Sequence, residues 1–509
     1  MSDNQGLKQS VLLNNLNIIK SIAEAVKGTF GSQGLDVMLV DEFGNYTITN
    51  DGVKILSLIE TNHPAAKILI EAAKFQEEQV GDGTTTVTIL VEALLSEAVK
   101  QVEKGVPIPK LIEGLRLGLN YAKSKLTELA SPIENLKDHK LRSACLIAGR
   151  GETELIDLLL KAAETIGLEK LKAKDFKFAK TIIAKNQTES QIIEGIILNK
   201  SRVNSAMPAS LEKVKVFIID DSLIPEDFPE EAISTEQGFA HFKQLQGNFL
   251  AGIKQLIDLK VNLVLIGGNL HPYAEELFTQ NNIMAVQRVR KSELYRAVQF
   301  TGANLATRRT LNLAEAELEK FCGFIESARE DQNLDLIRLE GCLLPERQAN
   351  TIIIGAAIEA FLAEKERIAS DIASSLQACL DKGVVAGGGA TELALSYFLN
   401  NLKKDLSQNS SFVNYGIDCW IEALKAPLSQ ISQNLGLNPL EKLAQVLSAQ
   451  ANTQSFSLGI NAENGELACM QELGVFDPLS VKLLALNTAC EVTIQLLKVN
   501  IIIKSKTNI

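Results

Sequence analysis

The hexapeptide Gly81-Asp82-Gly83-Thr84-Thr85-Thr86 is the strongest local signal in the sequence, and it leads directly into a segment with helical spacing of apolar residues. Two glycines allow the backbone to approach a ligand closely. The N–H groups and the positive dipole end at the start of the following helix favour a phosphate, and three threonine hydroxyls add neutral donors. The hexapeptide therefore predicts a phosphate-binding loop.

Asp82 is out of place in a simple anion site, because a carboxylate repels phosphate. A hard cation resolves the conflict, since Mg²⁺ can bridge one carboxylate and several phosphate oxygens. The structural alternative is that Asp82 caps the helix and the threonines follow by chance. That alternative would be favoured for a bare D-G-T, but the full hexapeptide before an apolar helix favours phosphate.

Two further glycine loops and two acidic residues are weaker candidates. The loops are residues 28–34 (GTFGSQG) and 387–389 (GGG). Neither matches G-x-G-x-x-G, and the dipeptide Gly-Lys never occurs, so an ATPase of this sequence would not be a P-loop enzyme. By spacing alone, Asp51 is a turn residue and Asp371 a charge on a helix surface. Beside a nucleotide, either carboxylate could orient or deprotonate the attacking water.

Composition and charge exclude several classes of protein. Of the 509 residues, 46% are hydrophobic, which is enough for large cores and argues against predominant disorder. The net charge of −11 disfavours general nucleic-acid binding, which needs clustered cations. The sequence contains neither a run of about 18 apolar residues nor a signal-peptide core. We therefore expect a cytoplasmic protein with no membrane or nucleic-acid partner, and scattered, reduced cysteines.

The chain has helix-rich ends and a mixed middle. Helical spacing covers residues 65–80 and 85–104, after a predicted β-hairpin of residues 37–40 and 46–49. Between about residues 180 and 355, β-type runs alternate with helical stretches, which predicts an α/β region. The runs are 191–198, 214–219, 261–266, 283–286 and 351–354. Helical patterns return from Ile358, and a last strand-like run covers residues 499–504.

Residues 224–257 allow two interpretations. After Ile224-Pro225, apolar residues recur every three or four positions. These residues are Phe239, Phe242, Leu245, Phe249, Ile253, Leu256 and Ile257. The segment is either a helix packed on its own domain, which we favour for the C-terminal half, or a protrusion that meets another subunit.

Together these pieces resemble a chaperonin over nearly the whole chain. The motifs are GTFGSQGLD at 28–36, ITNDG at 48–52, HPAAK at 63–67, VGDGTTT at 80–86, VVAGGGATE at 384–392 and GVFDP at 474–478. Residues 192–203 and 285–294 resemble group II (archaeal and eukaryotic cytosolic) chaperonins, whereas GAAIE at 355–359 and VVAGGG resemble group I. Ser32-Gln33 replaces the usual Pro-Lys, and the loop near 185–188 is shortened. This mixture resembles the divergent group II-like chaperonins of some bacteria, called group III.

The resemblance implies an ATP site assembled from both ends of the chain. Asp371 corresponds to the family's catalytic aspartate, and Asp51 to its companion. Asp82 corresponds to the Mg²⁺ ligand and Asp477 to the acid that holds the ribose. Arg150 stands where group II chaperonins have a lysine that senses the γ-phosphate, although arginine has a different geometry. The remaining nucleotide contacts would come from Gly31, Gly81, Gly83, Thr84, Thr85, Thr86, Gly388 and Gly389.

The resemblance also implies a multidomain α/β architecture. A helical equatorial domain would comprise residues 1–138 and 385–509, and a small intermediate α/β domain residues 139–200 and 351–384. An apical α/β domain would comprise residues 201–350 and carry a helical lid protrusion at about 224–257. One nucleotide would then touch both ends of the chain, with the α/β middle inserted between them.

The function implied is that of an ATP-driven protein-folding chamber. Identical subunits would form stacked rings, and unfolded client proteins would be enclosed under the built-in lid without a separate cap protein. Apolar apical residues could bind clients, although core packing is favoured for each one individually; they are Leu277, Phe278, Leu294 and Tyr295. The alternative is a non-hydrolysing chaperonin-like scaffold. The Ser32-Gln33 change supports that alternative, and the retention of Asp51, Asp82 and Asp371 opposes it, since assembly needs none of them.

Overall fold

A computed structural model describes residues 2–40, 44, 46–173, 175–186, 188–225, 236–332, 334–342, 350–356, 359–406 and 411–502. The first third of the chain is mainly helical. Its helices are α1 (Ser2–Lys27), α2 (Gly52–Leu58), α3 (Pro64–Val80), α4 (Thr84–Glu103), α5 (Ile108–Glu128), α6 (His139–Ala148), α7 (Thr153–Ile166) and α8 (Leu168–Lys172). The antiparallel hairpin of β1 (Val37–Val40) and β2 (Tyr46–Thr49) lies between α1 and α2. The hairpin and both helices predicted for this region are confirmed.

The middle of the chain is mixed. Its strands are β3 (Ile182–Asn186), β4 (Gln191–Leu198), β5 (Ser210–Ile219), β6 (Leu263–Ile266), β7 (Met284–Val286), β8 (Gly323–Asp331), β9 (Leu336–Cys342) and β10 (Asn350–Ala356). Its helices are α9 (Glu236–Asp258), α10 (Pro272–Gln280), α11 (Lys291–Thr301) and α12 (Glu315–Leu318), and 3₁₀ turns cover Phe178–Thr181, Arg308–Asn312 and Glu319–Phe321. All five β-type runs predicted between residues 180 and 355 are strands.

The last third returns to helices. These are α13 (Glu359–Lys382), α14 (Ala390–Leu406), α15 (Ser411–Ala423), α16 (Ala426–Asn434), α17 (Pro439–Thr453) and α18 (Leu479–Lys498). Four short strands accompany them: β11 (Val384–Ala386), β12 (Leu458–Ile460), β13 (Leu467–Cys469) and β14 (Phe476–Pro478). β11 pairs with β14, and β12 with β13, both antiparallel.

The chain divides into two compact units. Unit 1 comprises Met1–Leu160, Leu168–Ala179 and Arg367–Ile509, and unit 2 comprises Lys161–Gly167 and Lys180–Glu366. Both ends of the chain thus build unit 1. The finer equatorial, intermediate and apical boundaries stay a prediction.

Close helix packing at glycines joins the two ends of the chain within unit 1. A Cβ on Gly114 of α5 would lie 2.0 Å from the carbonyl oxygen of Val413 in α15, and one on Gly416 would lie 2.4 Å from Leu115 N. Only glycine allows two helix backbones to come this close. Trp420, fully buried in α15, donates from Nε1 to Leu115 O at 2.8 Å. α4 and α18 contribute to the same core.

Unit 2 is built around a mixed sheet with the strand order β3-β10-β4-β9-β8-β5-β6-β7. Successive side chains of a strand point to opposite faces. Phe217 and Ile219 of β5 therefore pack with buried residues of α9 and α10, while Val216 and Ile218 pack with those of α11. A sheet covered by helices on both faces accounts for the continuously apolar runs that the sequence shows there.

Three strands of this sheet, β3, β8 and β9, were not predicted. β8 has the sequence GFIESARED, which contains neither a continuous apolar run nor a regular alternation of apolar and polar residues, so its strand signal is weak. Its strand conformation is fixed by antiparallel pairing with β5 on one side and β9 on the other. Pairing between strands that are distant in the sequence leaves no pattern in the local sequence of either strand.

Residues 499–502, predicted as strand, differ in the structure: they form no strand after α18 ends at Lys498, and residues 503 and 504 lie outside the described part. A strand needs a partner to satisfy its backbone groups.

The 224–257 segment fits both interpretations in part. The C-terminal half of α9 is buried through Phe249, Ile253 and Leu256, as predicted, whereas Phe239 is 46% exposed. Residues 226–235 lie outside the described residues. Among the helices that are described, none has the length and hydropathy to cross a bilayer.

Candidate active site

The hexapeptide loop connects α3 to α4, and no side chain caps the start of α4. Gly81 ends α3 in a left-handed conformation (φ +67°), and Gly83, also left-handed (φ +83°), precedes α4. No side chain caps α4, so its first N–H groups keep their capacity to bind an anion. Asp82 accepts a hydrogen bond from Gly83 N at 2.5 Å rather than capping the helix. This geometry favours the phosphate interpretation over the capping one.

A buried glutamine fixes the loop against the C-terminal helix. Gln76 of α3 is fully buried and donates from Nε2 to the carbonyl oxygens of Asp82 (3.0 Å) and Val481 (3.1 Å). A Cβ on Gly83 would lie 2.6 Å from Val481 Cγ1, so a larger residue would displace the loop. The loop and the start of α18 are therefore in direct contact.

Asp51 lies at the other side of the loop. It caps α2, with its Oδ1 accepting from Val53 N at 2.9 Å. A Cβ on the next residue, Gly52, would lie 2.7 Å from Thr85 Oγ1 and 2.9 Å from Thr84 Oγ1. The β2–α2 turn thus abuts the first turn of α4.

Asp371 reaches the loop through α13. A Cβ on Gly81 would lie 2.2 Å from Cβ of Ser374, one turn beyond Asp371. The Asp371 side chain is 24% exposed and pairs with Arg367 Nη1 at 2.6 Å.

Arg150 follows α6 with φ +51° and donates a hydrogen bond to Asn50 Oδ1. Its guanidinium is thereby tied to the residue next to Asp51.

Asp477 lies beside the triple-glycine loop. In the β11–β14 pair, Asp477 is opposite Val385. A Cβ on Gly387 would lie 3.0 Å from Asp477 Oδ1. Gly388 and Gly389 are left-handed (φ +63° and +78°), as their lack of a side chain permits.

The 28–34 loop meets the triple-glycine loop through α16. Gly31 is left-handed (φ +90°), and a Cβ there would lie 3.3 Å from Ile431 Cγ1. Asn434 donates from Nδ2 to Phe30 O at 2.7 Å. At the other end of α16, a Cβ on Gly389 would lie 2.9 Å from Leu428 Cα.

The electrostatics show that four carboxylates share one region. Burial raises the pKa of Asp371 well above its usual value; the Arg367 charge opposes this, and the charges of Asp82, Glu77 and Asp51 add to it. Asp82 touches solvent at the loop surface, yet the protein atoms crowded around it raise its pKa as well. The Gly83 N–H opposes that rise, and the charge of Asp477 reinforces it. Predicted site residues from both ends of the chain therefore lie within electrostatic range of one another.

Comparison with protein-family models matches residues 22–507 to the TCP-1/cpn60 chaperonin family. The chain belongs to the TCP-1/cpn60 chaperonin family. As a member of a family of ATPases, it is an ATP-dependent chaperonin. The fold described above is the chaperonin fold, and the resemblance stated from the sequence motifs is confirmed.

Individual relatives agree with this assignment. The chaperonin is 31% identical to a thermosome subunit of Pyrococcus abyssi, over 97% of this chain and 90% of that protein. It is 30% identical to the thermosome subunit beta of Thermococcus kodakarensis, over 96% of this chain and 91% of that protein. A crystal structure of a group III chaperonin in the open state is 38% identical, covers 97% of this chain and 99% of its own, and superposes with a TM-score of 0.85.

The chaperonin's site fits a magnesium nucleotide. The uncapped start of α4 and the left-handed glycines before it are suited to binding phosphate oxygens. The exposed carboxylate of Asp82 is suited to binding a metal ion that the phosphates also coordinate. Among the residues that the structure describes, no three His, Cys, Asp or Glu side chains form a metal cage by themselves. Asp82 is therefore the carboxylate that this loop offers to a metal ion.

The predicted client-binding residues are not equally accessible. Phe278 and Leu294 are fully buried in two apolar cores of unit 2, so in this conformation they pack internally and offer no surface to a client. Core packing is the role that the sequence favours for each residue individually, and for these two the structure agrees. Leu277 is half-buried, and Tyr295 is 49% exposed.

Several site residues were not singled out as candidates from the sequence, although one of them, Glu392, ends the VVAGGGATE motif. They are Gln76, Glu77, Arg367, Glu392 and Lys482. Gln76 and Glu77 sit in the last turns of α3, directly before the loop, and this position is the one signal that could have drawn attention to them. Arg367 lies one turn before Asp371, a spacing typical of an i,i+4 ion pair.

Glu77→Gln is expected to raise the thermal unfolding midpoint of the nucleotide-free chaperonin at pH 8 but not at pH 4. Burial, with the charges of Asp51 and Asp82, raises the pKa of Glu77 from 4.5 to about 7, and Arg367 opposes the rise. Because the folded state then binds the proton more tightly than the unfolded one, stability falls as pH rises from about 4.5 to about 7, by on the order of 2 kcal/mol. Glutamine removes that loss.

Calorimetry at the two pH values measures the effect. The exposed neighbour offers a matched control, Glu78→Gln, which should shift neither midpoint. An equal change at both pH values for Glu77→Gln would show that Glu77 is not protonated preferentially in the folded state.

Proposed function

We propose that this chaperonin binds ATP with Mg²⁺ at the 81–86 loop and uses hydrolysis to drive the enclosure and folding of unfolded proteins. The observation that carries the proposal is the convergence of Asp51, Asp82, Asp371 and Asp477 on one loop of unit 1, although they come from opposite ends of the chain. Mere assembly would not require four acids to lie around one loop, two of which, Asp82 and Asp371, have a pKa raised by burial and by neighbouring acidic charges.

In the proposed site, the loop backbone and the 28–34 loop hold the phosphates. The residues would be Gly31, Gly81, Gly83, Thr84, Thr85 and Thr86. Asp82 would ligate Mg²⁺, which when bound neutralises the phosphate charge. Gly388, Gly389 and Asp477 would hold the adenosine side, with Asp477 accepting hydrogen bonds from the ribose hydroxyls.

Asp371 would accept a proton from the attacking water, and Asp51 would help to orient that water. A carboxylate whose pKa is raised is the better general base, and burial provides that rise for Asp371. Arg367 holds the Asp371 carboxylate in place at 2.6 Å. Arg150, held beside Asp51 by Asn50, would sense the γ-phosphate.

A built-in lid would close over the client. The proposal is supported by the exposed N-terminal half of α9, where Phe239 is 46% exposed and has the Lys243 ammonium over its ring. An exposed apolar helix end suits contact with another subunit. Tyr295 and Leu277 would offer apolar contacts to a client.

Stacked rings of identical subunits would provide the chamber. The β1–β2 hairpin is a two-stranded sheet by itself, and large side chains on both strands are exposed, among them Met38 and Tyr46. Such short, apolar edges call for a partner strand. We propose a neighbouring subunit as that partner, with no separate cap protein, in the cytoplasm.

The test is refolding of a chemically denatured, aggregation-prone enzyme with and without ATP and Mg²⁺. Recovery of activity that requires both supports the proposed function. The non-hydrolysing scaffold predicts no phosphate release, so a phosphate-release assay on the same sample separates the two. Binding of denatured protein without any phosphate release would overturn the proposal in favour of the scaffold.

A further inference from the structure

A buried three-residue ion network lies behind the proposed ribose position. Lys482, in the first turns of α18, pairs with Asp477 Oδ2 at 2.7 Å and forms a second ion pair with Glu392 of α14. The side chains of Lys482 and Glu392 are 9% and 3% exposed, whereas that of Asp477 is 29% exposed. The network therefore runs from the buried Glu392 through Lys482 to the partly exposed Asp477.

The network keeps Lys482 charged. Burial alone would lower the pKa of its ammonium, but the charges of Asp477 and Glu392, with hydrogen bonds to both, raise it above the usual value. Burying the Lys482 ammonium with a single carboxylate partner would carry a large desolvation cost. Glu392 therefore stabilises the charged lysine that binds Asp477. Glu392 Oε1 contacts the lysine, and within the described chain its Oε2 is buried without a hydrogen-bond partner.

The two oxygens of Asp477 have different surroundings. Oδ2 is the atom bound by Lys482, while Oδ1 lies on the side of the triple-glycine loop, 3.0 Å from the position of a Cβ on Gly387. The backbone of Asp477 is fixed by strand pairing with Val385. With the backbone and Oδ2 both held, the carboxylate plane is fixed and Oδ1 stays on the side of the triple-glycine loop.

We propose that Lys482 is a positioning residue that, supported by Glu392, orients Asp477 toward the ribose hydroxyls and so sets the preference for a ribonucleotide. The proposal rests on the proposed function, which assigns Asp477 to the ribose. A site built to hydrogen-bond a substrate hydroxyl rejects an analogue without it, provided that the acceptor is held in place. Lys482 provides that restraint.

The test compares the binding of ATP and 2′,3′-dideoxy-ATP to the assembled full-length protein. Wild type should prefer ATP by on the order of 10–100-fold, the range of a hydrogen bond to a charged group. Lys482→Met should reduce that ratio at least about five-fold by weakening ATP and leaving dideoxy-ATP nearly unchanged. Asp477→Ala gives the reference for loss of the ribose contact, and Lys498→Met, at the exposed end of the same helix, is the matched control.

A merely structural role for Lys482 would weaken both nucleotides equally and leave the ratio unchanged, which would overturn the proposal. Because Lys482→Met leaves Glu392 buried and unpaired, the double variant Glu392→Gln with Lys482→Met is measured too; it removes both buried charges and is better tolerated. If that variant keeps the wild-type ratio while Asp477→Ala loses it, the positioning role of Lys482 is contradicted and the ribose assignment of Asp477 stands. A wild type that does not discriminate between the nucleotides contradicts the ribose assignment of Asp477 itself.

Discussion

Asp371→Ala is expected to reduce the rate of ATP hydrolysis by about 10²–10⁴-fold, the range contributed by a positioned general base, while ATP still binds. The side chain lies one turn from the contact between Ser374 and Gly81, and Arg367 holds it in place. Its pKa is raised by burial and by the neighbouring acids, which suits proton abstraction. Alanine removes the base and leaves the phosphate loop unchanged.

Single-turnover phosphate release measures the chemical step, and equilibrium binding of ATP measures the ground state. Asp381→Ala is the matched control, since this aspartate is an exposed residue near the end of the same helix. Unchanged hydrolysis in Asp371→Ala would disprove the assignment of the catalytic base. Loss of binding along with hydrolysis would instead assign Asp371 to nucleotide binding.

Asp82→Asn is expected to lower hydrolysis by about 10²–10³-fold, since a bound metal contributes several kcal/mol of charge stabilisation in the transition state. Asparagine keeps the size of the side chain and can still accept the Gly83 N–H hydrogen bond, so the loop conformation should persist. What it removes is the negative charge that would attract Mg²⁺. More Mg²⁺ should then be needed for half-maximal activity.

Magnesium titrations of phosphate release, on wild type and variant in parallel, measure this shift. Asp405→Asn, on the exposed end of α14, controls for the loss of one negative charge in unit 1. Identical magnesium dependence in wild type and Asp82→Asn would place the metal ligand elsewhere. Chelation of Mg²⁺ with excess EDTA should abolish wild-type hydrolysis.

The two variants, Asp371→Ala and Asp82→Asn, are expected to affect ATP binding differently. Asp371 lies on a helix that contacts the loop, so in the proposed site its loss would remove a reacting group and leave the phosphate-binding loop in place. Asp82 lies within the loop, so its loss would weaken the binding of the proposed metal and of the phosphates. Comparing ATP binding in the two variants therefore separates a chemical role from a binding role.

The sequence by itself determined those features that depend on neighbouring residues. Turn chemistry gave the β1–β2 hairpin, helical spacing gave α3 and α4, and apolar runs gave the core strands of unit 2. The glycine motifs also led to the correct family. Each of these signals is local, because a helix period, a turn or a left-handed glycine is decided within a few residues.

Only the tertiary structure decided which of these pieces meet. Bare spacing gave Asp51 and Asp371 no special role, and only the family resemblance made them candidates. The structure brings both near the phosphate loop, where Gly52 lies against Thr85 and Gly81 against Ser374. The raised pKa of Glu77 arises in the same way, from burial and from charges distant in sequence. The sequence left client binding and core packing open for Phe278, with core packing favoured, and helix packing on the sheet buries it. Burial and electrostatic coupling are properties of packed neighbours, and the order of residues along the chain does not record which neighbours those will be.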